Sequence, residues 1–471
     1  MIEPPDLLSL DSAAKDALIV ALVERVNALT AENAGLKERQ AAEVAALRAE
    51  IAALQAKLDR PPKTPDNSSV PPSRGHKRTE FVKNRDKRNA HPGAHRPLDP
   101  HPTHRRDILA SVCGHCGADV SGSPQEPCEA YDRIDIPPIA PEVTRVTLHG
   151  GRCPCCARRF KAEAPAELEP GSPFGPNLRA LVLYLRFTQG VAYERLSRLM
   201  GDLFGLSISE GALVNIVAAA RQRFAAASAA IRARLLNGTV ICSDETGLRV
   251  GKRSWWLWVF HHGQNACFVT HPRRSKEAVG EFLGEVRPRV WVADRYGAQA
   301  GWAEDQQACL AHLLRDTQYV IDQGDDVFAP ALRHFIGLAC DEAERRDTWN
   351  DATLDLHRRR LEAELDRVLT LTPAHPAGVK WKGAIEKLRP TLLVFISNRD
   401  VPPTNNESER SLRPTATYRK ITNGFRSQWG AIEYADIRSA IETGRRQSIG
   451  ALKAIKDVLA LPPPPALADT G

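Results

Sequence analysis

Asp244 closes the run TVICSDETG, and Asp294 closes RVWVADRYG. In both, an apolar stretch rich in β-formers ends directly in a carboxylate. A charge placed there is delivered to the crevice at the strand ends, where α/β sheets collect their ligands. Singly, an acid after a strand is more often a solvated turn residue, so the weight lies on the recurrence. A third acid comes from NNESERSLRP, at the start of a helix. Glu409 follows Asn406 by three and Glu407 follows Thr404 by three, so either glutamate fits a helix cap, and spacing does not choose between them. Three carboxylates meeting from two strands and a helix suit two Mg²⁺ (or Mn²⁺) ions, which prefer oxygen ligands. Two such ions about 3.5–4 Å apart stabilise the attacking and leaving oxygens of a displacement at phosphorus, with water or a 3′-hydroxyl as nucleophile.

Cysteine offers a second chemistry. Cys113-x-x-Cys116 and Cys153-x-x-Cys156 are two knuckles separated by 36 residues. A two-residue gap lets both sulfurs of a knuckle reach one ion, and Zn²⁺ favours four thiolates in a tetrahedron. With all four positions filled by protein, that one zinc is expected to be structural. EAYDRIDIPPI and EVTRVTLHG, between the knuckles, read as strands of a ribbon. Cys128 and Cys155 read as bystanders, and His115 as an outside candidate ligand.

These groups need elements to hold them. Residues 12–60 are rich in Ala, Leu, Glu and Lys; Leu22, Val26, Leu29, Asn33 and Leu36 keep a 4-3-4-3 spacing, the seam of a coiled coil. Val44, Leu47, Ile51, Leu54 and Leu58 resume it in a shifted frame, a stutter. Self-association through this helix is expected. Residues 61–107 read as a flexible linker and arm; from 74 to 107 ten Lys and Arg stand against four acids, a composition suited to neutralising phosphates. The cysteine module is expected over 108–165 and a helical domain over 171–236, its last helix opened by a Ser207–Glu210 capping box. A helix-turn-helix and an ordinary hairpin are both open there. Short strands begin at 237: TVICSDE, SWWLWVFHH, ACFVTHP and, after the helix SKEAVGEFLGEV, RVWVADRYG. CLAHLLRDTQYVID is strand or helix. The α/β core is expected in two parts, 237–325 and 401–460, around a helical insertion over 326–400, with a disordered tail at 461–471.

With DNSSVPPS, the cysteine pairs, FGPNLRALVLYL, DETG, CLAHLLR and NNESERSLRP in this order, the chain resembles the transposases of the insertion-sequence 66 family along nearly its whole length. The last block is the most specific, and its signature glutamate falls on Glu409 rather than Glu407. The resemblance implies an RNase H-like fold and an Asp-Asp-Glu site at Asp244, Asp294 and Glu409. It implies Mg²⁺-dependent nucleotidyl transfer: cleavage at element ends and strand transfer into target DNA. Small accessory transposition proteins are possible partners. His312 and Arg315 of CLAHLLR, with Arg410, Arg413, Arg419 and Lys420 around Glu409, are candidate DNA contacts, Arg being suited to phosphate by its planar fork.

Composition narrows the field. Hydrophobic residues make up 42% of 471, enough for a sizeable core, and Lys plus Arg exceed Asp plus Glu by 64 to 57. No run approaches the roughly 20 apolar residues that span a bilayer. The N-terminus MIEPPDLLSL lacks the basic residues of a secretory signal, so a cytoplasmic protein with no membrane partner is expected. The competing class is a non-catalytic DNA-binding protein using only the coiled coil, zinc module and basic arm.

Overall fold

A computed structural model describes residues 11–58, 60–68, 96–165, 168 and 171–462. Most of the basic arm (69–95) and the tail from 463 lie outside the described residues. The chain divides into two compact units. The described residues among 1–75, 312–338 and 359–387 form one; those among 76–311, 339–358 and 388–471 form the other.

In the first unit, helix α1 (Ser12–Leu58) runs without interruption. Asp11 caps it, its Oδ1 accepting the Ala14 amide at 2.7 Å, as N-cap aspartates do. The helix passes straight through the frame shift at 40–44, as a stutter permits. Its seam is bare in the single chain: Leu22 is 55% exposed and Ile51 54%. The segment after α1 corrects the linker reading. Asn67 and Ser68 are buried. Asn67 Oδ1 accepts the Thr64 amide at 2.6 Å, its Nδ2 donates to Asp322 at 2.8 Å, and Ser68 Oγ donates to the Thr64 carbonyl at 2.6 Å. Lys63 lies over the Tyr319 ring. Asp322 and Tyr319 belong to α6 (Leu310–Asp322), so this end of the linker is a capped turn seated on that helix. CLAHLLRDTQYVID, left open by sequence, is helical.

The second unit is built on a five-stranded mixed sheet. Its strands are β3 (Val240–Val250), β4 (Arg253–His262), β5 (Asn265–His271), β6 (Val290–Ala293) and β7 (Asp305–Ala308), in spatial order β5-β4-β3-β6-β7. The first three form an antiparallel meander; β6 and β7 continue it in parallel with β3. Four strands were legible as apolar runs. β7 was not, because DQQA has no apolar alternation and earns its place through parallel pairing.

Alternate residues of the sheet feed two cores. Leu248, Val250, Leu257, Val259 and Phe268 pack against the helices α2 (Pro176–Phe187), α3 (Tyr193–Phe204), α4 (Glu210–Leu236), α11 (Asn406–Thr422), α12 (Gln428–Arg446) and α13 (Ala451–Ala460). Ile241, Trp258, Phe260 and Trp291 pack on the other face against α5 (Lys276–Leu283), with Phe260 and Phe282 stacked at 3.7 Å. The edge strand β5 is closed by α12: Ser439 Oγ accepts the Phe268 amide and Thr443 Oγ1 the Ala266 amide. An open edge is thereby denied to other strands.

Two local readings change. The cap of α4 is Ser209, whose Oγ accepts the Ala212 amide at 3.2 Å, not Ser207. And 129–149 contain no strand; the described β1 (Gly150–Arg152) and β2 (Arg159–Lys161) pair only with each other across the second cysteine knuckle. Between 323 and 400 the described residues form α7 (Phe328–Arg345), α8 (Asp351–Thr370), α9 (Pro376–Leu388) and the short α10 (Val394–Ser397), with no strand. Among the described residues no helix is long and apolar enough to cross a membrane.

Candidate active site at the strand ends

β3 and β6 pair in parallel with Val240 opposite Val290 and Cys242 opposite Val292. The same offset sets Asp244 level with Asp294, just past the end of β6; Asp244 does not close its strand as the apolar run suggested, because β3 continues to Val250 paired with β4. Asp244 shares its face of β3 with Leu248 and Val250, the face on which α11 packs, and α11 carries Glu409 in its first turn. The start of α11 is pinned to the sheet. Asn405 Nδ2 donates to the Ser243 carbonyl at 2.7 Å, and its amide donates to Cys309 Sγ at 3.1 Å. Ser408 Oγ donates to Asn405 Oδ1, and His261 Nε2 lies 2.7 Å from Ser408 Oγ. Glu409 therefore stands one helical turn from a residue bolted to the backbone next to Asp244.

The electrostatics register this convergence. Asp244 is held well above the usual carboxylate range, first by burial, then by the negative charge of Glu245, with Asp294 and Glu409 adding to it. Its Oδ1 accepts the Glu245 amide at 2.8 Å, which partly offsets the rise. Asp294 Oδ1 accepts the Tyr296 amide at 2.9 Å. Among the described residues, however, no group of three or more His, Cys, Asp or Glu is disposed to hold a metal ion. Asp244 feels the charges of Asp294 and Glu409 without the three forming a closed ligand shell.

Sequence reasoning missed the support. Glu245 points to the opposite face of β3 and its side chain is fully buried. Arg274 Nε and Nη2 both reach Glu245 Oε1, at 2.7 and 2.6 Å, and Gln299 Nε2 donates to Oε2 at 2.7 Å. Arg274 in turn lies 3.9 Å over the Tyr296 ring and 5.0 Å over Trp256. The available signal was the alternation of β3, which sends two adjacent acids to opposite faces. Asn405 was missed because Asn406 was taken as the cap; Asn406 is instead the first helical residue.

Glu407 and Glu409 part company. Glu407 Oε2 accepts from Arg445 at 3.3 Å and Arg446 at 3.1 Å, and Glu407 is not among the charges acting on Asp244. Arg410, Arg413 and Lys420 lie exposed along α11, at spacings that share one helix face. Arg419 is turned inward and donates to the Gly247 carbonyl. His312 and Arg315 lie on α6, within the other unit.

Each cysteine knuckle is folded the same way. The Cys113 amide donates to the Ala118 carbonyl and the Gly117 amide to the Cys113 carbonyl; the Cys153 amide donates to Arg158 and the Ala157 amide to Cys153. Gly117 and Ala157 both adopt positive φ, the latter without glycine's freedom. The Cys113 thiol is lowered by the backbone amides of His115 and Cys116, and the Cys153 thiol by those of Cys156 and Cys155. The two pairs are not brought into one metal-holding group.

A mixed sheet presenting acids from adjacent parallel strands to a helix start is an α/β arrangement compatible with a transposase core. The family model described as Transposase IS66 family matches residues 171–433. That is more than half of the chain, and the chain belongs to the transposase IS66 family. No curated protein matches it.

Proposed function

We propose that this chain is a DNA transposase that cleaves at element ends and transfers the strands into target DNA, using Asp244, Asp294 and Glu409. The observation that carries the reading is the charge coupling of Asp244, midway along β3, to Asp294 just past the end of the parallel strand β6 and to Glu409. The order and directions of the five strands support an RNase H-like core.

The donor chemistry fits Mg²⁺ or Mn²⁺. Three carboxylates accumulate charge in a half-buried place, and a divalent cation is what relieves it; Mg²⁺ keeps several waters and does not need a closed protein shell. A bound ion pair would supply stabilisation of the entering and leaving oxygens at phosphorus. The chain's own residues do the rest. Asn405 fixes the start of α11 and so the reach of Glu409. The Glu245–Arg274–Gln299 cluster holds the back of β3, and keeps the second acid occupied by a cation and an amide. Arg410, Arg413 and Lys420 offer a cationic stripe for the phosphates flanking the reacting one, with His312 and Arg315 as further DNA contacts.

Two ancillary readings go with this. The bare seam of α1 supports self-association as a coiled coil. The matched turns and amide-to-sulfur bonds of the knuckles support one structural Zn²⁺ on Cys113, Cys116, Cys153 and Cys156, bound once the two pairs close on the same ion. The test of the central reading is cleavage of end-labelled element DNA with Mg²⁺, by the natural chain and by Asp244→Asn. Cleavage by the first and not the second supports it. Metal-independent binding without cleavage by either would favour the non-catalytic DNA-binding alternative.

A further inference from the structure

Beyond the carboxylates, β3 continues through Gly247 to Val250, turns, and returns as β4. The tip of this hairpin encloses a cavity of about 630 Å³ lined by Arg249, Lys252, Trp255, Trp256, Arg419 and Asn423, among others, and by no acidic residue. The size falls within the roughly 300–1,000 Å³ of small-ligand sites. Its walls are fixed. The Phe425 amide donates to the Arg249 carbonyl and the Gly251 amide to the Phe425 carbonyl, both at 2.7 Å, so the turn after α11 adds a rung to β3. Gly424, at φ +94°, fits there because a Cβ would lie 2.5 Å from the Arg249 carbonyl oxygen. Arg419 is tied to the Gly247 carbonyl. Trp256 stands opposite Gly247 in the β3–β4 register; glycine leaves the edge of that ring open on this side, while Arg274 lies over the ring.

We propose that this cavity binds unpaired DNA along the hairpin beyond the carboxylates, stacking a base on Trp256 and pairing phosphates with Arg249, Lys252 and Arg419. The proposal rests on the transposase reading and deepens it by naming a subsite. Basic grooves set with aromatic rings are how proteins hold single strands without reading sequence. Trp256 is half-buried, which fixes the ring while leaving surface to the cavity; its neighbour Trp255 turns to the other face of the sheet. Position agrees as well. At about 3.3 Å per strand residue, the stretch from Gly247 to Val250 lies roughly 10 to 20 Å from Asp244, some three to six base steps of about 3.4 Å. A duplex end opened for cleavage would present its unpaired bases over that span.

The experiment is fluorescence anisotropy with the full chain in EDTA, using a labelled oligothymidylate and a duplex of equal length over a salt series. Trp256→Ala should weaken single-strand binding roughly 5- to 150-fold, with duplex binding changed less than twofold. Arg249→Ala and Lys252→Ala change exposed side chains and should keep the wild-type melting temperature. Each should lower single-strand affinity and reduce the logarithmic salt slope by about 0.7. Unchanged single-strand binding in Trp256→Ala, wild-type affinity and slope in both cationic variants, or parallel loss of single-strand and duplex binding in all three, would overturn the subsite. No cleavage is involved, so the outcome is separable: Asp244→Asn cutting normally would remove the catalytic assignment and leave the groove, while a failed groove leaves the carboxylates untouched.

Discussion

The acids of the sheet and of α11 and the cysteine knuckles are both sets of metal-type ligands, but the chain builds them in opposite ways. Asp244, Asp294 and Glu409 are delivered by elements whose own positions are over-determined. β3 lies between two packed cores, and α11 is held through Asn405 to Ser243 and Cys309. The knuckles have almost nothing behind them. Around them Ile108, Tyr131, Ile136 and Val143 are each more than three-quarters exposed, so little apolar burial stabilises that region. Scaffold holds the first set in place without an ion. In the second, an ion would itself be the scaffold, since metal binding energy there is folding energy.

The sharpest break between the two is expected at the acids. Asp244→Asn, Asp294→Asn and Glu409→Gln should each lower the cleavage rate by about 10³-fold or more, as losses of charge stabilisation at a reacting centre do. Their melting temperatures should hold or rise, because each relieves like-charge crowding. Glu407→Gln, whose partners are Arg445 and Arg446, is the control and should stay within several-fold of wild-type rate. Loss of activity in Glu407→Gln comparable to Glu409→Gln would undo the division between them.

At the knuckles the pattern should invert. Chelation, or Cys113→Ser, should abolish amide-exchange protection at the knuckle turns around 113–118 and 153–158 while leaving 240–308 protected. Unchanged protection at those turns after chelation would mean that no ion holds the module. Between these extremes lies Asn405→Ala. It leaves the buried Ser243 carbonyl without its donor, a cost of about 1–3 kcal/mol. By loosening Glu409 it should also lower metal-dependent activity about 10- to 100-fold, the range for residues that orient ligands. Equal activity at matched fraction folded would remove Asn405 from the site.

The smallest effect concerns the scaffold alone. Glu433 is buried on α12, its Oε1 has no hydrogen-bond partner, and burial pushes its carboxyl up to about 7 against the pull of Arg221. Its folded-state pKa is raised, so the folded protein keeps a proton that the unfolded chain has lost. The stability this carries is full below about 4.5 and is lost as pH rises through 7. Glu433→Gln should therefore melt a few degrees above wild type at pH 8, with a gap of roughly 1–3 kcal/mol, and the gap should close at pH 4.5. A pH-independent gap would contradict it.

What the sequence disclosed follows the same contrast. Where residues sit in two cores, pattern was legible: the apolar runs around Asp244 and Asp294 announced their strands. The Leu/Val spacing announced α1 as well, although its seam is bare in the single chain. Where structure depends on a distant partner, pattern misled. EVTRVTLHG alternates like a strand but finds a neighbour only at its last two residues, His149 and Gly150, and DQQA looks like a loop but lies in register beside β6. KTPDNS has turn composition, and only the Asn67–Asp322 hydrogen bond and the Lys63–Tyr319 contact show it to be docked. Within the site, Asp244 was legible as a lone acid after apolar residues, whereas Glu245 beside it carried no mark of its role, because its partners Arg274 and Gln299 come from other parts of the chain.

The central claim is that Asp244, Asp294 and Glu409 share divalent ions. Manganese anomalous scattering from crystals of the full chain grown with Mn²⁺ tests it most directly. The account predicts two peaks about 3.5–4 Å apart, ligated by oxygens of all three side chains and absent in Asp244→Asn. Manganese bound elsewhere with these carboxylates unligated, or the same two peaks in Asp244→Asn, would contradict it.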